Sequence, residues 1–295
     1  MKTVLLTGSR GYLGFEYAKY LRKKGIRVLG VDLSDSKHKD DIKVESLREL
    51  NSIKDLSVVS NIIHLSAVSG ISDAEKDPER CIRNNIYELS ILLEIIFNKK
   101  INIQNFLFVS SADALNVKNN FKSNADIYSL SKFIGELIVN YYSGKLNIKI
   151  AILRFTSLYG FFDKANKKVL SKFVSLAINN KPIIISNNDT FNFLHYKDAI
   201  SALDFSTSYL NRKTEKIEEF NFFSNENISL IELANKIKKI VNSKSKILIE
   251  NVDIKNTNFY NFGNKPLDWQ QKISLNEGIS SMVKAFKSYG TSIAK

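Results

Sequence analysis

The chain has 295 residues, a formal net charge of +13 and 44% hydrophobic residues, enough apolar side chain for one large domain or two closely packed lobes. A single cysteine, Cys81, excludes an internal disulfide framework, and three histidines with no Cys/His cluster argue against a metal site. No apolar run reaches membrane-spanning length. The lysines are spread along the chain without an arginine-aromatic cluster, so the excess charge reads as solvated surface, with no nucleic-acid partner and no membrane insertion.

Thr3–Thr7 reads as a short buried strand, Gly8, Gly11 and Gly14 follow at once, and residues 12–24 carry a helical pattern. Strand, glycine turn and helix, in that order, make a phosphate cradle. Glycine permits the turn and lets backbone N–H groups approach a pyrophosphate, and the helix dipole favours its charge. After Gly25, residues 26–31 read as a second strand that delivers Asp32 at its tip, where a carboxylate accepts both hydroxyls of an adenosine ribose. A turn with no ligand would explain the glycines alone, but not the strands, helix and acid in register. Dinucleotide binding is therefore expected at Gly8, Arg10, Gly11, Tyr12, Leu13, Gly14 and Asp32. Asp32 points to NAD by repelling an extra 2′-phosphate, while Arg10 leaves NADP as the alternative.

Residues 33–57 are too polar to assign beyond a short strand at 42–44. Residues 58–65 and 106–109 read as strands with a helix over 78–97 between them, and the second strand runs into Ser110 and Ser111. Ligands of a parallel sheet sit beyond the carboxyl ends of its strands, which is where Ser111 falls. Asp126 is expected to cap a helix over 127–142 with Ile127, Leu130, Ile134, Leu137, Ile138 and Tyr141 on its apolar stripe, so that Tyr128 and Lys132 share a face. Tyr-x-x-x-Lys is weak by itself, because Tyr20/Lys24, Tyr141/Lys145 and Tyr209/Lys213 also fit it. Only Tyr128 comes soon after a strand ending in serine. The plainer alternative has Tyr128 packing, Lys132 as a solvated charge and Ser111 capping a turn.

With residues 148–153 as a further strand, the fold class expected for 1–155 is α/β, a doubly wound, mostly parallel sheet binding dinucleotide. Residues 156–295 read as a smaller α/β substrate lobe that returns to the large sheet at least once. Its helices are expected at Val169–Ile178 and 229–241, the latter opening with a Ser229/Glu232 capping box, and its strands at 182–185, 220–223 and Ile247–Ile249. His64 and His195 fall in strands or at strand ends, where a hydrogen-bonded structural histidine is the expected role. With the first strand starting near residue 3 there is no room for a signal peptide, and a cytoplasmic enzyme is expected.

At these motifs the chain resembles the extended short-chain dehydrogenase/reductase family, in the NAD-dependent epimerase/dehydratase branch that acts on nucleotide sugars. The glycine fingerprint appears as Thr7-Gly-Ser-Arg-Gly-Tyr-Leu-Gly14. The family's His-Leu-Ala-Ala strand end is similar to His64-Leu-Ser-Ala67, its Asn-Val helix position to Asn85-Ile86, and its Tyr-x-x-Ser-Lys signature to Tyr128-Ser-Leu-Ser-Lys132. Later segments match at Arg154 to Gly160, Phe193 to Asp198, Leu267-Asp-Trp269 and Ser274 to Gly278. The resemblance implies a Rossmann sheet, a catalytic set of Ser111, Tyr128 and Lys132, cofactor contacts extended to Leu65, Ser66, Ala67, Asn85, Tyr128 and Lys132, and a homodimer pairing the helices over 78–97 and 127–142 through Ile91, Leu92, Ile95, Ile138 and Tyr141.

The chemistry makes a physical demand. A tyrosine of pKa about 10 must fall toward about 7 to act as a base, some 4 kcal/mol of differential stabilisation. Lys132 and an oxidised nicotinamide would supply positive charge, and Ser111 would hydrogen-bond the substrate oxygen. Departures from the family pattern bear on the substrate. Phe191-Asn192-Phe193 stands where relatives carry Arg-Asp-Phe, so the arginine that grips a nucleotide pyrophosphate is absent, and no arginine follows Arg212. Ser157 replaces an asparagine and Phe161 a proline. Ser69, Ser157, Asn192, Lys172 and Lys265 are the expected substrate contacts. Ala112 stands where dehydratases place an acid, which favours epimerisation or reduction over dehydration. The expected function is an NAD-dependent nucleotide-sugar epimerase or reductase of polysaccharide biosynthesis. The alternative is a dinucleotide-binding sensor or scaffold with little turnover.

Overall fold

A computed structural model describes residues 3–36, 38–119, 125–160, 168–212, 215–250 and 262–293. In chain order the first elements are β1 (Thr3–Thr7), α1 (Tyr12–Lys23), β2 (Arg27–Asp32), β3 (Asp41–Lys43), β4 (Val59–His64), α2 (Ile71–Lys76), α3 (Pro78–Ile82), α4 (Glu88–Asn98) and β5 (Asn105–Ser111). Next come α5 (Ala112–Asn119), α6 (Ile127–Ser143), β6 (Lys149–Phe155), β7 (Ser157–Tyr159), α7 (Val169–Ile178), β8 (Ile183–Ile185), β9 (Thr190–His195) and α8 (Tyr196–Arg212). The last are β10 (Ile217–Phe222), β11 (Asn227–Ser229), α9 (Leu230–Val241), β12 (Ile247–Ile249) and α10 (Leu275–Ile293).

The chain divides into two compact units. The first comprises Met1–Phe155, Ile200–Phe222 and Phe262–Pro266, the second Thr156–Ala199, Phe223–Asn261 and Leu267–Lys295.

In the first unit a seven-stranded sheet has the order β10-β6-β5-β4-β1-β2-β3, with every neighbouring pair parallel. Parallel strands joined by helices are covered on both faces and become apolar throughout, as β1 shows with all of its residues buried. Leu5, Leu29, Ile62, Phe106 and Ile150 from the strands pack with Leu89, Leu92, Ile96 and Val139 from the helices in one core. The register sets Thr7 beside Val31 and His64, and Ser111 beside Phe155, along the carboxyl edge.

Several elements differ from the sequence reading for local reasons. The stretch 33–57 holds, besides β3, a 3₁₀ turn at Leu47–Ser52, opened by a Ser46/Glu49 capping box that a short polar segment does not advertise. The helix expected over 78–97 is α3, a π turn at Arg83–Tyr87 and α4, and the wide turn carries Asn85. Ile91, Leu92 and Ile95, expected as dimer surface, are 8%, 1% and 4% exposed and belong to the monomer core. They pack in one core with residues of the sheet, because both faces of a parallel sheet need cover.

One charged group crosses this core. Arg154 on β6 is 2% exposed, and its Nε and Nη2 donate to Glu136 on α6 at 2.7 and 2.6 Å. Glu136 also accepts from Ser110 Oγ at 2.6 Å, while Arg154 reaches Glu219 on β10 at 2.7 Å. The network ties α6 to three adjacent strands behind Ser111.

In the second unit β11, β9 and β7 form one small sheet and β12 with β8 another. Leu170, Phe173 and Val174 of α7, Leu233 and Ile237 of α9, and Ile279 and Met282 of α10 pack against Phe193 and Tyr159 in a core of their own. The Ser229/Glu232 capping box opens α9, and Asn242 closes it in the left-handed conformation, φ 56° and ψ 46°.

Arg154→Met leaves Glu136 buried with only a serine hydroxyl as partner, so unfolding free energy should fall by about 3–5 kcal/mol. Urea titration measures this, and replacing both residues, Glu136→Leu with Arg154→Met, should lose less than the single change.

Candidate active site

The glycine loop fits a phosphate through what it leaves bare. α1 begins at Gly11 with no side-chain cap, so its first N–H groups have no side-chain acceptor. Gly8 has φ +71° and lies against the chain after β4, where a Cβ would stand 2.7 Å from Ser66 N. A Cβ on Gly14 would stand 2.0 Å from Gly8 O, whereas one on Gly11 meets only Gly8 O, at 3.3 Å. Two glycines thus close the turn and the third keeps its outer side open. Leu13 is buried under the turn, while Arg10 and Tyr12 are exposed.

Asp32, at the tip of β2, braces this loop. Its Oδ2 accepts the Arg10 N–H at 2.9 Å and its Oδ1 the Ser34 N–H at 3.0 Å. The Arg10 guanidinium takes no part in that contact. It lies 5.1 Å over the Phe15 ring. Beside Asp32, a cleft is lined by Val31, Leu33, Val44, Glu45, Ser46, Ser66, Asn84 and Glu88. Glu88 shapes its wall by accepting from Ser46 Oγ at 2.9 Å and Leu47 N at 2.6 Å. Sequence reading missed most of this wall, because it is assembled from the polar stretch it could not assign.

At the end of β4, Thr7 Oγ1 and His64 Nδ1 are 2.8 Å apart, and Thr7 Oγ1 also accepts the Ser66 N–H at 3.3 Å. Leu65, Ser66 and Ala67 are half-buried beside Gly8. Burial, reinforced by the Lys132 charge, pulls the His64 pKa down to about 3, so the ring is neutral. The structural role expected of His64 stands. Asn85, read from the resemblance as a cofactor contact, is instead a buried brace. Its Oδ1 accepts Val68 N at 2.7 Å, and its Nδ2 donates to Val68 O at 3.2 Å and Ser131 Oγ at 2.9 Å, which leaves no atom for a ligand. Ser131 in turn donates to Tyr128 O at 2.7 Å and sets the tyrosine-bearing turn.

Tyr128 and Lys132 lie on α6, which packs on β5, and Ser111 is the last residue of that strand. Asp126 caps α6 by accepting Ser129 N at 2.8 Å, which orients the first turn. Tyr128 is half-buried, and its pKa is pushed up, by burial first and then by the nearby Asp113, with Ser111 acting in the other direction. Lys132 Nζ donates to Val109 O at 3.0 Å and stands 5.6 Å from the Phe108 ring. Burial pulls its pKa down to about 8, against the pull of Cys81 and Glu136 in the other direction. The competing pairs sit at the surface. Lys24 lies 4.5 Å over Tyr20 and Lys145 4.3 Å over Tyr141, while Lys213 falls outside the described residues.

The expected substrate contacts are divided between the two units. Ser69 is exposed and Lys265 half-buried in the first unit. Ser157 and Lys172 are exposed in the second. Asn192 is already committed there. Its Oδ1 accepts Ser224 N at 2.7 Å and Thr156 Oγ1 at 2.9 Å, and its Nδ2 donates to Ser224 O, Glu226 O and Asn227 Oδ1 at 3.0, 3.2 and 2.8 Å. It joins β9 to the turn before β11, and its assignment to a pyrophosphate is corrected on that ground. Phe191 and Phe193 stack at 5.5 Å as packing residues. Phe161 falls outside the described residues.

The family model "NAD dependent epimerase/dehydratase family" matches residues 4–220. The chain belongs to that family. A dTDP-D-glucose 4,6-dehydratase of Dictyostelium discoideum is 28% identical over 82% of this chain, and the match spans 62% of that protein's length. A putative UDP-glucose 4-epimerase of Methanocaldococcus jannaschii is 26% identical, with 96% and 98% of the two chains covered. Among solved structures, the UDP-glucose 4-epimerase of Thermotoga maritima with UDP-glucose superposes with a TM-score of 0.83 at 20% identity, covering 97% of this chain and 99% of that one. MoeE5 in complex with UDP-glucose and NAD has a TM-score of 0.81 at 18% identity, again covering 97% and 99%. The family is one of NAD-dependent enzymes, and the uncapped start of α1, the bare side of Gly11 and the Asp32 carboxylate fit that cofactor.

A histidine whose folded pKa lies below its unfolded value binds its proton mainly in the unfolded chain, so stability is lost as pH falls through that window. For His64 the window runs from about 6.5, the unfolded value, to the folded value of about 3. Chemical denaturation at stepped pH should show a His64→Asn variant lacking about 1.4 kcal/mol per pH unit of the wild-type slope in that range.

Proposed function

We propose that the protein is an NAD-dependent nucleotide-sugar epimerase or reductase in which Tyr128 carries the proton, Ser111 hydrogen-bonds the substrate oxygen and Lys132 supplies positive charge beside the nicotinamide ribose. The convergence of these three side chains at the carboxyl end of β5, on the edge that also bears the glycine loop, carries the reading. When bound, the dinucleotide would accept or return a hydride at a sugar carbon. The protein's own part is orientation: the glycine loop and α1 would hold the pyrophosphate, Asp32 the adenosine ribose, and Lys132 the second ribose. Asp32 supports NAD over NADP because its carboxylate is fixed by two backbone N–H groups while the Arg10 guanidinium rests on Phe15.

The substrates in the names of the relatives support a nucleotide sugar here. The pyrophosphate grip would fall to a lysine such as Lys172 or Lys265, and as a point charge a lysine binds in a salt-sensitive way. Among the described residues no helix is long and apolar enough to cross a membrane. We place the enzyme in the cytoplasm, in sugar conversion for polysaccharide biosynthesis. The lost arginine is what favours the second reading, a dinucleotide sensor with little turnover.

Tyr128→Phe removes the proton-carrying hydroxyl and keeps the ring. Turnover of a UDP-, GDP-, CDP- or dTDP-sugar should drop by a factor on the order of 10² to 10⁴ with NAD affinity nearly unchanged. Turnover equal to wild type removes Tyr128 from the mechanism, and absence of turnover with NAD still bound selects the sensor.

A homodimer remains part of the proposal, through Tyr141 and other residues of the same two helices. Leu137 and Tyr141 on α6, with Phe97 on α4, are 52%, 59% and 42% exposed, an apolar face the monomer leaves uncovered. Light scattering at micromolar concentration should show a dimer that Leu137→Glu with Tyr141→Glu converts to monomer.

A further inference from the structure

The hydrogen of the Ser111 hydroxyl is already committed. Ser111 is buried at the end of β5, and its Oγ donates to Asp113 Oδ2 at 2.9 Å while accepting the Asp113 N–H at 3.3 Å. The direction of the first bond follows from chemistry, because an ionised carboxylate only accepts and a serine has one hydrogen to give. The reaction proposed above needs that same hydrogen. A sugar hydroxyl that gives its own hydrogen to Tyr128 can only accept from Ser111, and so can the ketone it becomes. The carboxylate and the substrate oxygen therefore exclude one another at this serine.

Asp113 is half-buried in the first turn of α5, which packs on α6, β5 and β6. From α6, Asp126 and Tyr128 interact with its charge. Lys132, a turn further along, is held on Val109 O. Glu136 of α6 and Arg154 of β6 bond each other, and Lys149, at the start of β6, donates to Leu210 O. Lys118, on α5 itself, pairs with Glu219. The β5 strand carries no ionisable side chain. Burial raises the proton affinity of the Asp113 carboxylate, the Ser111 bond lowers it and Asp126 raises it again. Once neutral, the acid is a weaker acceptor and can give a hydrogen of its own. The bond from the Asp113 N–H would still anchor Ser111 Oγ, so the oxygen keeps its place while its hydrogen changes partner.

We propose that Asp113 is a positioning residue that competes with the substrate oxygen for the single hydrogen of Ser111, so that the serine meets the sugar only when this carboxylate lets go. The proposal rests on the reading of Ser111 as the donor to the substrate oxygen. No proton passes from Asp113 to the sugar. The proton that neutralises the carboxylate comes from solvent and stays there, and Ser111 keeps its hydrogen throughout.

Asp113→Ala removes the competitor and keeps the backbone N–H that anchors the serine. Assayed with UDP-glucose and UDP-glucuronic acid at pH values where Asp113 is ionised, this variant should exceed wild-type kcat/KM by about 3- to 10-fold, the difference between a charged and a neutral acceptor. The ratio should approach unity as pH falls through the raised pKa of Asp113, because the wild-type carboxylate is then neutral as well. Asp113→Asn, with an uncharged oxygen in the same place, should lie between the two. A gain of activity that vanishes at low pH is not what loss of a merely structural contact produces. A second measurement needs no substrate: carbon-13 titration of the Asp113 carboxyl, assigned by its loss in Asp113→Asn. Ser111→Ala should shift that titration to higher pH, because the bond that favours the ionised form is gone. A ratio at or below unity where Asp113 is ionised, or an Asp113 titration that Ser111→Ala does not raise, overturns the competition and leaves the enzyme reading standing. Absence of turnover of both sugars in wild type and Asp113→Ala alike counts against the enzyme reading instead, and the carboxyl titration then decides by itself whether Asp113 holds the serine hydrogen.

Discussion

The start of α1 is pressed onto the turn before it so closely that a methyl group on Gly14 would stand 2.0 Å from Gly8 O. That approach fixes the direction of the helix relative to β1, and with it the place where uncapped N–H groups point. Because β1 is central in a parallel sheet, the same edge receives the ends of β2, β4 and β5. Asp32, Thr7, His64 and Ser111 share an edge as a result of this topology.

Behind that edge, polar side chains are spent on holding the backbone. Asn85 and Ser131 tie the turn after β4 to α6, Asp32 holds the glycine loop, and Glu136 with Arg154 and Ser110 ties α6 to the sheet. Buried groups of this kind are tolerated only when every partner is supplied, and here the partners are backbone groups and side chains already in place. The consequence is a Tyr128 and a Lys132 whose positions are set before any ligand arrives. The same burial moves both pKa values the wrong way for a free phenolate beside an ammonium: the phenol is pushed up and Lys132 pulled down to about 8. A positive nicotinamide, when bound, would offset the first of these.

The second unit is held by its own core and by polar contacts that consume candidates for substrate binding. Asn192 is the plain case, with both amide atoms given to the segment 224–227 and to Thr156. Asp198 likewise accepts the N–H groups of Lys272 and Ile273, at 2.9 and 3.1 Å. A residue in a motif position can thus serve the scaffold.

What the sequence determined by itself was whatever depends on local order. The glycine spacing between β1 and α1, the Asp126 cap, the Ser229/Glu232 box and the shared face of Tyr128 and Lys132 are all set within one or two turns of chain, where period and stereochemistry leave few choices. Tertiary structure decided everything that depends on who is nearby. The polar residues 33–57 form one wall of the cleft beside Asp32 only because Glu88, far along the chain, accepts from Ser46 and Leu47. Ile91, Leu92 and Ile95 looked like spare apolar surface because a helix read alone shows how many apolar faces it has, and not that a parallel sheet will cover them. Asn85 and Asn192 read as ligand contacts because an amide's type is visible in sequence, whereas the hydrogen bonds that engage it come from strands, helices and turns that only folding brings together.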